Sequence, residues 1–134
     1  MDNFTIVRPQ HLNHHGYLFG GVLLMWVDEF AWIKASRDYP HCTLVTIGMD
    51  HIQFKERVPN GSILRFDISR LRQGNTSVQY SVEVYSDEPG ADAEKEVFHT
   101  TVAFVRVDGE GQKTPLPDAE EPGSSRLDGS QGRP

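Results

Sequence analysis

The chain has 134 residues, 37% of them hydrophobic, one cysteine and a formal net charge of −6. That is enough apolar material for one self-supporting domain, while the lone Cys42 excludes an internal disulfide and the acidic balance excludes a general nucleic-acid binder, which needs a basic surface. The N-terminal run MDNFTIVRPQ lacks the features of a secretory signal, and Asp28 and Glu29 interrupt the longest apolar stretch short of the roughly 18 residues that span a bilayer. A cytoplasmic protein without membrane contact is expected.

A short strand is expected first. From Leu18 to about Tyr39 the sequence has helix formers, no proline and a nearly continuous apolar run, and Pro40 supplies a stop, so one long helix is expected. Its apolar residues, from Val22 to Ile33, go almost all the way around, which marks a central helix that other material must wrap. Four β-like segments follow at about 43–54, 62–72, 76–86 and 96–107. In the third, Val78, Tyr80, Val82 and Val84 alternate with polar residues, the period of a strand with one buried face. Gly74-Asn75 supplies the tight turn before it, and the polar stretch Asp87–Lys95 joins the last two strands. The class is α+β: one long central helix wrapped by a curved antiparallel sheet of about five strands.

Beyond Asp108 the chain is rich in Gly, Pro, Ser and charge, with almost nothing apolar to bury. The folded domain is expected over residues 1–107 and a disordered acidic tail over 108–134. Charge reverses locally between Lys55 and Arg72, where Lys55, Arg57, Arg65, Arg70 and Arg72 face only Glu56 and Asp67. A small polyphosphate ligand is suited to that stretch, although composition alone favours an ordinary solvated strand face.

Two features of the helix carry chemistry. Asp28 and Glu29 are adjacent carboxylates in apolar surroundings, and successive helical positions diverge by about 100°, so one faces inward or an interface while the other reaches solvent. Gly20-Gly21 opens the helix, where the first N–H groups have no intrahelical partner and suit an oxyanion. Asp28 lies about 12 Å along the axis from Gly20, too far for both to grip one carbonyl in one subunit, and a partner subunit would remove that difficulty.

The run Asn13-His14-His15-Gly16-Tyr17-Leu18-Phe19-Gly20-Gly21, with Asp28 eight residues after Gly20, resembles the acyl-CoA hydrolase group of hotdog thioesterases. The similarity continues through Val45-Thr46, Met49-Asp50, Phe54, Gly61 and Gly74-Asn75-Thr76-Ser77, over roughly residues 8–107. The resemblance implies a thioesterase acting on acyl-CoA, in which Asn13 and Asp28 come from opposite subunits of a homodimer and the amides of Gly20 or Gly21 polarise the thioester carbonyl. It also implies that Lys55, Arg57, Ser77, Thr46 and Phe54 contact the substrate. Where the family usually has a proline this chain has Arg57, a cation near the expected place of the CoA nucleotide. A hexamer of three dimers is a common larger assembly in the family.

Two other functions are compatible with this fold. A hotdog hydratase or dehydratase would use a catalytic histidine, and the long helix has none; a non-catalytic acyl-CoA-binding module would lack the carboxylate that Asp28 supplies. The cluster His11, His14 and His15 matches no standard zinc spacing and reads as solvated loop histidines. No metal or separate cofactor is expected, coenzyme A being part of the substrate.

Overall fold

The structure, a computed structural model, describes residues 2–119. Strand β1 (Asp2–Ile6) leads through a single 3-10 turn at Pro9–His11 to helix α1 (Gly20–Asp38). Strands β2 (Thr43–Phe54), β3 (Ile63–Gln73), β4 (Ser77–Asp87) and β5 (Lys95–Val107) follow, within a residue of the expected bounds. All five strands form one antiparallel sheet in the order β1-β3-β4-β5-β2. β3, β4 and β5 are successive hairpins, the first closed by a 2.7 Å bond from the Gly74 N–H to the Ser77 carbonyl.

Helix α1 starts at Gly20 because Phe19 is extended, with φ −70° and ψ 130°, while its carbonyl accepts the N–H groups of Val22 and Leu23. Leu18 N–H donates to the Val58 carbonyl and Phe19 N–H to the His11 carbonyl. It ends where Tyr39 leaves helical geometry ahead of Pro40, as expected of a residue before proline. Leu23, Trp26, Val27, Ala31 and Ala35 form its buried stripe, and the two alanines allow close approach to the sheet. The opposing sheet face supplies Leu64, Phe66 and Ile68 of β3, Tyr80, Val82 and Val84 of β4, and Phe98, Val102 and Phe104 of β5.

The expectation of a fully wrapped helix holds on one side only within a single chain. Met25 and Trp32 remain 58% and 46% exposed, beside the exposed Val45, Ile47 and Ile52 of edge strand β2. That strand is bent by register shifts between Thr46 and Gly48 and between Asp50 and Gln53, and His51 adopts a left-handed φ of 58°. The Asp50 carbonyl freed by the second irregularity accepts the Thr100 hydroxyl at 2.9 Å.

At the far end of α1, Asp38 is a buried carboxylate. It accepts from Tyr80 Oη at 2.6 Å, from Lys34 Nζ at 2.9 Å and, more distantly, from Arg70 Nη1 at 3.5 Å. Burial, and then the bond to Asp38, push the Tyr80 phenol far above its ordinary range.

The tail expected from Asp108 departs from that expectation as far as Ala119. The Asp108 carboxylate caps a turn by accepting the N–H groups of Glu110 and Gln112. Beyond the turn, the Thr114 N–H donates to the Arg106 carbonyl and the Leu116 N–H to the Asn75 carbonyl, and Leu116 packs on the core. One apolar residue and a handful of backbone bonds suffice to lay this segment on the sheet end, a signal that average composition obscures. The rest of the expected tail, from residue 120, lies outside the described residues.

Candidate active site

The loop before α1 and the end of β2 enclose a cavity of about 610 Å³. Its apolar wall comes from Leu18, Leu23, Phe54 and Val58, and its polar rim from Asn13, His15, Lys55, Glu56 and Arg57. Gly20 lies against Phe54: a Cβ there would stand 3.4 Å from the ring, and Phe54 in turn packs on Phe98 with centroids 4.9 Å apart.

Asn13 is fixed by its own loop. Its Oδ1 accepts the N–H of His15 at 2.9 Å and of Tyr17 at 3.1 Å, which leaves the NH₂ group without a partner among the described residues. Asn13 therefore offers the cavity a donor. The N–H groups of Gly20 and Gly21 also have no acceptor among the described residues, as the first turn of a helix dictates. Gly21 itself does not line the cavity; a Cβ on it would meet the Phe19 ring at 2.7 Å.

The two cations at the rim differ. Lys55 Nζ is held by Glu96 Oε1 at 2.7 Å, so its charge is already partnered. The Arg57 guanidinium lies 4.6 Å over the Tyr17 ring and has no carboxylate partner among the described residues. A second ion-pair group, Glu56–Lys95–Glu88, sets one ammonium between two carboxylates and leaves the adjacent surface with a net negative charge.

Asp28 lies elsewhere on α1. It is half-buried, Glu29 beside it is exposed, and the Thr46 hydroxyl donates to Asp28 Oδ1 at 2.7 Å. Neither Asp28 nor Thr46 lines the cavity. Ser77 lies at the same end of the sheet as Thr46, since it pairs with Val105, which pairs with Val45, whereas Phe54 is nine residues further along β2. Because of its two register shifts, only seven residues of β5 separate the partners Val105 and Phe98, so at about 3.3 Å per residue the two ends lie some 20–25 Å apart. One chain thus groups Asn13, Gly20, Phe54, Lys55 and Arg57 at one locus, and Asp28, Thr46 and Ser77 toward the opposite end of β2.

Sequence reasoning did not single out Tyr17, Leu18, Leu23 or Val58 as cavity residues. Their only local signal was position: Tyr17 bridges to Pro59 and Leu18 to Leu12, pairings that become visible only once the loops are folded.

The family model for the thioesterase superfamily matches residues 15–93 of this chain, more than half its length. The chain belongs to the thioesterase superfamily. Among its relatives, it is 31% identical to acyl-coenzyme A thioesterase 11 of Mus musculus over 100 residues, covering 75% of this chain and 17% of that protein. It is 30% identical to the human cytosolic acyl coenzyme A thioester hydrolase over 117 residues, covering 84% of this chain and 30% of that one. It therefore spans well under half of these two relatives. A hexameric hotdog fold thioesterase of Campylobacter jejuni superposes with a TM-score of 0.76 at 30% identity, covering 98% of this chain and 95% of that chain. The acyl-CoA hydrolase of Staphylococcus aureus, solved with butyryl coenzyme A and coenzyme A, superposes with a TM-score of 0.80 at 27% identity, covering 88% and 71% of the two chains. The sheet curved around α1 is the hotdog fold, and the two loci described above are the candidate site of a member of this superfamily.

Proposed function

We propose that this thioesterase-superfamily chain hydrolyses acyl-CoA to a free acid and coenzyme A, at a site completed by a second copy of itself. The observation that carries the reading is the separation of two complementary half-sites. The cavity end supplies hydrogen-bond donors and a cation, and the Asp28–Thr46 end supplies a carboxylate. Edge-to-edge pairing of two β2 strands about a twofold axis is antiparallel, so it sets the Phe54 end of one chain against the Thr46 end of the other. The exposed apolar residues Met25, Trp32, Val45, Ile47 and Ile52 along that edge support such pairing.

In this arrangement the acyl chain occupies the apolar wall. The Asn13 amide and the Gly20 or Gly21 N–H groups donate to the thioester carbonyl oxygen, where negative charge develops. Asp28 of the other subunit takes a proton from the attacking water, or attacks the acyl carbon itself to give an anhydride that water then opens. In both routes the C–S bond breaks and the CoA sulfur leaves as thiolate, to be protonated by solvent. The Arg57 guanidinium donates to phosphate oxygens of the nucleotide, flanked by Lys55 of the same chain and by Ser77 of the other subunit, and Phe54 borders the acyl end. No resident cofactor enters these steps.

The hexameric assembly of the Campylobacter jejuni protein supports self-association beyond the dimer, and the cytosolic naming of the human relative supports a cytoplasmic location. The test is incubation of the purified protein with a panel of acyl-CoAs and a thiol reagent. Release of free CoA is expected; hydration of an enoyl-CoA without thiol release, or binding without turnover, would refute the assignment.

A further inference from the structure

On the face of the sheet turned away from α1, Glu83 of β4 is the direct cross-strand partner of His99 on β5, and Glu96 lies on the same strand as His99. One potential ligand atom from each of the three lies within 4.8 Å of the others, and all three side chains are half-buried. We propose that Glu83, Glu96 and His99 form a binding site for a divalent transition metal, with zinc as its best-fitting occupant. Four-coordinate zinc with bonds of about 2.1 Å keeps its ligands about 3.4 Å apart, so donors already within 4.8 Å reach that spacing by side-chain rotation alone.

The chemistry selects the class of ion. Two carboxylates beside an imidazole suit zinc or cobalt, whereas magnesium and calcium take oxygen ligands and gain little from a ring nitrogen. The charges also favour a cation. Among the described residues Glu83 accepts only the Tyr85 phenol at 3.3 Å, Lys55 is bound to Glu96 at 2.7 Å, and the Arg65 guanidinium stacked over Tyr85 is already paired with Glu94. A metal taking Glu96 competes directly with Lys55. Because Lys55 also lines the cavity, metal binding releases an ammonium toward the rim where Arg57 stands. Strand pairing holds the ligands in register: Glu83 and His99 are fixed opposite one another, and the irregularity between Val84 and Tyr85 rotates Glu96 onto the same patch.

The test measures metal binding directly and is independent of turnover. Tag-free protein is titrated with Zn²⁺ by calorimetry, and with Co²⁺ by its visible absorption. Saturable binding of one Zn²⁺ per chain is expected. His99→Ala and Glu83→Gln should each weaken it by about tenfold or more, in variants whose circular dichroism shows them folded. Lys55→Ala should bind Zn²⁺ more tightly than the parent, because the competitor for Glu96 is gone. The joint variant His14→Ala with His15→Ala should bind like the parent. Absence of saturable binding, equal affinity for Mg²⁺, unchanged affinity in both ligand variants, no gain in Lys55→Ala, or loss in the His14/His15 variant would each overturn the proposal.

Discussion

The Thr46 hydroxyl donates to Asp28 Oδ1 at 2.7 Å, joining the bent edge strand β2 to the middle of helix α1. A carboxylate held by one neutral donor keeps its second oxygen for other partners, and its position depends on that donor. Thr46→Ala should lower kcat by about tenfold with a small change in KM, and Thr46→Ser should restore most of it. An unchanged kcat in Thr46→Ala would detach this bond from catalysis.

Removing the charge itself should cost more. Asp28→Asn keeps the shape but can act neither as base nor as nucleophile, so kcat should fall by at least about 10²-fold while the thermal midpoint holds. Glu29, exposed on the next position, is the matched control, and Glu29→Gln should change kcat by no more than a few-fold. Near-normal turnover in Asp28→Asn with a dead Glu29→Gln would reverse the assignment.

Because Asp28 does not line the cavity that holds Asn13, the two are expected to meet only between subunits. Asn13→Ala and Asp28→Ala proteins, each inactive, should regain part of the activity when mixed, through heterodimers with one intact site. Proven subunit exchange without rescue would argue for a site within one chain.

The unequal rim cations predict unequal effects. Arg57 has no carboxylate partner among the described residues, so Arg57→Ala should raise KM for acyl-CoA about tenfold, and less at high salt. Lys55→Ala should have the smaller effect on KM, since Lys55 is already held by Glu96. Steady-state kinetics across a salt series provides the comparison, and equal KM values for Arg57→Ala and the parent would remove Arg57 from the site.

The buried Asp38–Tyr80 pair makes a prediction about stability. Tyr80→Phe removes a 2.6 Å donor from a buried carboxylate and should cost about 1.5–3 kcal/mol by denaturant titration. The folded phenol is held far above the unfolded value of about 10, first by burial and then by Asp38. Its contribution is therefore complete below about pH 10 and is lost as pH rises beyond that. Tyr39, also raised by burial, titrates in the same direction, so Tyr80→Phe should show a shallower alkaline decline rather than none. An equally steep decline would show that Tyr80 does not contribute to it.

Local pattern determined much of this protein. The proline-free apolar run before Pro40 determined the helix, and alternation such as Val78-Tyr80-Val82-Val84 determined which strand faces were buried, because both depend on side-chain periodicity along a few residues. The spacing of Asn13, Gly20 and Asp28 pointed to the superfamily that the comparison then showed. Strand order was not legible: β2 pairs with β5, forty or more residues away, and β1 with β3, contacts that loop composition does not encode. Nor was it legible that Lys55 is neutralised by Glu96, that Arg57 stacks on Tyr17, or that Glu83, Glu96 and His99 converge, since each depends on strand register. The helix that looked apolar all round was the most informative case. Its sequence said that every side should be covered, while the tertiary structure showed that one chain covers only the side facing its own sheet. Met25 and Trp32 remain exposed beside β2 because five strands curve around one face of a helix and not around both.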